Sequence, residues 1–86
     1  MNKYPQQPDE IIDLHGFRVV DVEDVLEDIM KSTVSTHVRL IVGKGIHSKE
    51  GPVIRDFVKR YLEVRNITFK SAKFKDGGEG ALEVFF

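Results

Sequence analysis

The spacing of apolar side chains along the chain changes several times, and each change predicts an element. Glu10-Ile11-Ile12-Asp13-Leu14-His15-Gly16 is short, β-branched and closed by glycine, which predicts a strand. Val22, Val25, Leu26, Ile29 and Met30 then follow the i, i+3, i+4, i+7, i+8 rule of one helix face and predict about three turns. Asp21 is the expected N-cap, with Asp24 in the third helical position, and Glu23, Asp24, Glu27 and Asp28 fill the outer face. After a polar connector, Ser32–Thr36, the residues Val38, Leu40 and Val42 alternate with Arg39 and Ile41 as a second strand. Ile54, Phe57, Val58, Tyr61 and Leu62 repeat the helical spacing, with Arg55, Lys59 and Arg60 on the other side and Asn66 as terminator. Ile67–Phe74 reads as a third strand, Asp76–Gly80 as a turn and Ala81–Phe86 as the last strand.

The order is βαβαββ. Right-handed crossovers between parallel strands put both helices on the same side of the sheet. The expected fold is an α/β (α+β) two-layer sandwich, a four-stranded mixed sheet with both helices on one face and the other face less covered. Residues 1–9, with two prolines and consecutive glutamines, have little to bury and are expected as a flexible N-terminal tail, leaving residues 10–86 as one domain.

Composition narrows the chemistry. With no cysteine, disulfides and thiolate metal sites are excluded, so any metal would fall to carboxylates and three histidines. No apolar run approaches the roughly 20 residues that span a bilayer, and the first residues lack the apolar core of a secretion signal. The expectation is a cytoplasmic protein with no membrane partner. A net charge of −1 hides an asymmetry: residues 1–36 carry three basic and eight acidic side chains, residues 37–75 ten and three. The basic block suits a nucleic-acid face, and equally a set of solvated helix and strand faces.

The basic block contains Gly43-Lys44-Gly45-Ile46-His47-Ser48-Lys49-Glu50-Gly51-Pro52, between the second strand and the second helix. Glycines let a backbone approach a ligand closely, and a helix start aims N–H groups and positive dipole at one spot. Pro52 fits a first helical turn. The stretch reads as an anion or phosphate site, or as an ordinary glycine-punctuated turn; it does not have P-loop spacing. Alternation in the first strand adds a second feature. If Ile12 and Leu14 face the helices, Asp13 and His15 point together to the opposite face. Both lie near the carboxyl end of their strand, where ligands commonly bind in open α/β sheets and where the glycine loop also emerges. The plainer alternative is a turn-capping histidine beside a solvated acid.

Asp13-Leu14-His15-Gly16, Gly43-Lys44-Gly45-Ile46-His47-Ser48 and Gly77-Gly78-Glu79-Gly80-Ala81-Leu82 together resemble the three signature blocks of the Smr (small MutS-related) domain, over about Ile11 to Phe86. Each block alone is weak; the ordered set is specific. The resemblance implies a βαβαββ fold similar to the C-terminal domain of bacterial translation initiation factor 3. It also implies association with nicking of DNA or endonucleolytic cleavage of RNA, including messenger RNA on stalled ribosomes. Carried over by position, the catalytic Asp-x-His pair falls on Asp13 and His15. The glycine-loop positions fall on Gly43, Lys44, Gly45, His47 and Ser48, with Lys49 beside them, and the third-block glycines on Gly77, Gly78 and Gly80. A first-block histidine, where the MutS-fused branch often has arginine, favours the stand-alone or RNA-active branches.

The expectation is therefore an endonuclease in which His15 and His47 act as general base and acid, and Asp13 orients an imidazole. Lys44, Ser48, Lys49 and the glycine backbones would bind phosphate. Two-metal chemistry needs a carboxylate cluster, and only Asp13 and Glu79 are candidates, so no cofactor is expected beyond a weakly bound Mg²⁺. The expected partner is DNA or RNA, with ribosome association as a variant and a monomer as the default state. Two alternatives stand beside this: a non-catalytic nucleic-acid- or ribosome-binding module, and a protein-interaction domain that meets a partner through Leu82–Phe86. His37 lies beside no motif and receives no role.

Overall fold

The computed structural model describes residues 7–32, 36–43, 53–76 and 78–86. Its elements are β1 (Glu10–Asp13), α1 (Val19–Lys31), β2 (His37–Ile41), α2 (Val53–Val64), β3 (Thr68–Ser71) and β4 (Ala81–Phe85). Short 3₁₀ turns occupy Phe74–Asp76 and Gly78–Gly80. The strands form one mixed sheet in the order β1-β2-β4-β3, with β1 parallel to β2 and the other two pairs antiparallel. This is the expected α+β architecture.

Register decides which face is the core. Ile12 pairs with Leu40, Leu40 with Leu82, Val38 with Val84 and Val84 with Phe69, so these side chains share one face. They join a single cluster with Val22, Leu26 and Ile29 of α1 and Val58, Tyr61 and Leu62 of α2, which places both helices on that face. Leu14, Leu26, Leu40, Leu62 and Leu82 are fully buried, each a contribution of roughly 1.5–3 kcal/mol.

The other face carries charge. Arg39, Glu83 and Lys70 lie in register across β2, β4 and β3. Glu83 accepts from His37 Nε2 at 2.6 Å on one carboxylate oxygen and from Arg39 Nε at 2.7 Å on the other. His37 stacks on Phe85, its register partner, with ring centroids 4.6 Å apart. His37 and Glu83 are only 5% and 8% exposed, so each charge-bearing group depends on its partner to offset lost hydration.

Three local expectations change. α1 starts at Val19, not after Asp21: Arg18 is its extended N-cap, and Asp21 lies in the first turn with its Oδ2 3.0 Å from Arg18 Nε. A first-turn carboxylate meets the positive end of the helix dipole, which serves as well as a cap. β3 ends at Ser71, and Phe74 belongs to a 3₁₀ turn. His37, without a role in the sequence reading, is the first residue of β2 and a buried part of the charged face.

Asn66 ends α2 as expected. Its φ of 57° is left-handed, and Ile67 N–H bonds the Leu62 carbonyl at 2.9 Å while Asn66 N–H bonds that of Glu63 at 3.1 Å, a Schellman arrangement. Contacts reach upstream of β1: Asp9 Oδ2 accepts from Thr36 N–H, Thr36 Oγ1 and His37 N–H at 2.9–3.0 Å. These donors hold its carboxyl below the usual range.

Removal of Glu83 should take from the buried His37 ring its carboxylate acceptor and from Arg39 Nε one of its partners. Glu83→Ala is expected to lower unfolding stability by about 3 kcal/mol or more, read from chemical denaturation, while Glu83→Gln loses less because it keeps an acceptor.

Candidate active site

Four residues turn the chain from β1 into α1. The Leu14 N–H donates to Ile41 O at 2.7 Å, which continues the parallel pairing one step past the strand and seats Leu14 in the core. Phe17 N–H then bonds Leu14 O at 3.1 Å, closing a β-turn over His15 and Gly16. Gly16 has a φ of 82°, a conformation that a side chain would strain. The tight turn leaves His15 exposed at the sheet end, directly beyond Asp13.

Asp13 and His15 form a unit. Asp13 Oδ1 lies 2.5 Å from His15 Nδ1 and also accepts the His15 backbone N–H at 3.1 Å. The imidazole is the larger cause, and the backbone N–H the next, of a carboxyl held below its usual titration range. An ionised carboxylate only accepts, so Nδ1 carries the proton and Nε2 of a neutral ring keeps its lone pair. His15 is 70% exposed and Asp13 56%, so the ring is open to a large substrate.

The other predicted positions meet this pair in part. Gly43, at a φ of 78°, is close enough that a Cβ there would lie 3.7 Å from His15 Cβ. The Val42 and Gly43 N–H groups donate to Gly80 O at 2.9 and 3.0 Å, tying the end of β2 to the turn before β4. Gly78, at a φ of 56°, bonds Lys73 O through its N–H at 3.0 Å. Described parts of all three sequence blocks therefore converge on the end of the sheet where β1 and β2 finish. Lys44, Gly45, His47, Ser48, Lys49 and Gly77 lie outside the described residues.

Phe17 and Arg18 were not singled out by the sequence, yet they follow His15 directly. With Gly16, Asp21, Asp24 and Val25 they line an open groove beside it. Their signal was position alone, immediately after the first block and before the helical period begins.

The profile of the Smr domain matches residues 12–86. The chain belongs to the Smr domain family. Among solved structures, it is similar to the Smr domain of Thermus thermophilus MutS2, with a TM-score of 0.73, 21% identity, and 88% of this chain and 95% of that one covered. It is also similar to YdaL, a stand-alone small MutS-related protein from Escherichia coli, with a TM-score of 0.75, 26% identity, and coverage of 98% and 67%. A human small MutS-related domain matches with a TM-score of 0.56, 26% identity, and coverage of 87% and 98%. No curated protein sequence matches. Among the described residues of this Smr domain, no helix is long and apolar enough to cross a membrane, and no three His, Asp or Glu side chains converge as a metal site.

The Asp13 geometry has a measurable sign. Because the folded state favours its ionised form, the pairing contributes above the ordinary carboxyl value of 3.8 and is lost as pH falls through the lowered folded value. Carboxyl carbon NMR should show Asp13 titrating below 3.8. His15→Ala should move the midpoint part of the way back up, since the backbone N–H of residue 15 still donates.

Proposed function

We propose that this Smr domain is an endonuclease that cleaves phosphodiester bonds, with RNA as the favoured substrate and the Asp13–His15 pair as its chemical centre. The observation that carries this is the carboxylate at 2.5 Å from Nδ1 of an exposed imidazole. It fixes the ring and its tautomer, with Nε2 turned outward to take a proton. Imidazole as a group titrates near neutrality, so it both takes and gives protons at working pH.

In RNA the 2′-oxygen attacks phosphorus, and His15 Nε2 takes the hydroxyl proton. The bond to the 5′-oxygen breaks, and His47 gives that oxygen a proton. The products are a 2′,3′-cyclic phosphate and a 5′-hydroxyl end. Lys44, Ser48, Lys49 and the loop amides would stabilise charge on the phosphoryl oxygens. DNA lacks the 2′-hydroxyl, so the same pair would have to activate water. The family resemblance to nucleic-acid-cleaving domains supports this reading. A bound Mg²⁺ remains compatible with the phosphate contacts and is addressed by chelation.

The test compares a structured RNA and supercoiled plasmid, each with and without EDTA. Wild type should cleave RNA in EDTA and leave cyclic phosphate ends. His15→Ala and Asp13→Asn should each reduce the rate on the order of 10²–10⁴-fold while melting like folded protein. Cleavage unaffected by His15→Ala, or abolished by EDTA and restored by Mg²⁺, would contradict the mechanism. Binding of both substrates without cleavage would make the domain a docking module.

A further inference from the structure

Phe74 is the most exposed large apolar side chain among the described residues, at 93% of its surface. Among the described residues no apolar neighbour shields it, and hydration of a whole phenyl ring is unfavourable unless something else covers it. Lys73 and Lys75 flank it, both exposed, with Asp76 following in sequence. The placement is not arbitrary. Phe74 starts the 3₁₀ turn of the β3–β4 connection, which is closed by the Gly78 N–H on Lys73 O at 3.0 Å. Two residues further on, Gly80 O accepts from Val42 and Gly43, and Gly43 abuts His15. The turn thus belongs to the same end of the sheet as the Asp13–His15 pair. With β1 and β3 three strand spacings apart in the order β1-β2-β4-β3, the two sites are about 14 Å apart across the sheet.

We propose that Phe74 is a stacking platform for an unpaired base, with Lys73 and Lys75 on the flanking phosphates, so that the site engages single-stranded nucleic acid a few nucleotides from the bond it cleaves. This deepens the nuclease reading and rests on it for the identity of the bond. An aromatic face between two cations is the combination that holds single strands without regard to sequence: the ring meets a base, the ammonium groups meet backbone. A duplex buries its base faces and offers only the phosphates.

The experiment measures fluorescence anisotropy of an unstructured RNA 12-mer, the DNA strand of the same sequence and the corresponding RNA duplex. All titrations use the His15→Ala protein, so turnover does not enter and failure of the nuclease reading leaves the binding result intact. Phe74→Ala should weaken single-strand binding roughly 5- to 100-fold and duplex binding less than about twofold, with an unchanged melting curve because the ring is solvent-exposed. Phe74→Trp should restore it. Lys73→Glu and Lys75→Glu should each weaken every strand and reduce the salt dependence by about one ion. Loss on both RNA and DNA, or on one of them, supports the platform and names the strand. Phe74→Ala binding like its parent, equal losses on single strand and duplex, or no nucleic-acid binding by the parent would overturn the proposal.

Discussion

Parallel pairing of β1 with β2 fixes which side chains of the first strand enter the core. Ile12 stands opposite Leu40, and the Leu14 N–H reaches the Ile41 carbonyl at 2.7 Å, so Ile12 and Leu14 are committed to the helix-covered face. Asp13 and His15 are then left with the other side. A slip of one residue would exchange the two sets, placing a carboxylate and an imidazole among leucines, and the burial cost of those groups makes that register inaccessible. The hydrophobic core therefore does more than stabilise the domain: it aims the Asp13–His15 pair. Gly16 completes the aim, because its left-handed turn starts α1 without carrying His15 away from Asp13.

The same logic of alternation organises the open face, with a different outcome. There His37 and Arg39 are nearly covered and each bonded to Glu83, whereas Asp13, the last residue of β1, and His15 just beyond it are exposed. Two histidine–carboxylate pairs thus exist among the described residues, at 2.6 Å and 2.5 Å. Accessibility separates their roles. The buried pair is joined by a guanidinium and an aromatic stack, with His37 Nδ1 unpartnered, and it links β2 to β4; the exposed one presents its ring next to the glycine-rich end of the sheet.

Much of this was legible in the sequence because it follows from period and punctuation. The helices, the strand order in the chain, the shared face of Asp13 and His15 and the Asn66 terminator each come from apolar spacing or from a residue with a known backbone preference. What was missed depends on partners far away in the chain. His37 meets Glu83 across 46 positions, and nothing near His37 announces it. Asp21 has the chemistry of an N-cap, whereas Val19, in step with Val22 and Leu26, already belongs to the helix. Phe74 stood at the end of a stretch, Ile67–Phe74, that reads as strand, and only the end of the ladder at Ser71 shows that its ring faces water. Family membership was carried by three short blocks, and the fold explains why they are three: their described residues meet at one end of the sheet.

In the proposed nuclease, nucleic acid is handled at that end and not across the open face. The most direct measurement is an amide and imidazole NMR titration of isotope-labelled protein with a single-stranded 2′-O-methyl RNA, which lacks the attacking hydroxyl and stays intact. That placement predicts shifts at residues 13–18, at Gly43 and along 73–80, including the His15 ring, with His37 and Phe85 unmoved. Shifts centred on Lys70, Glu83 and Phe85, with the His15 ring unaffected, would contradict it.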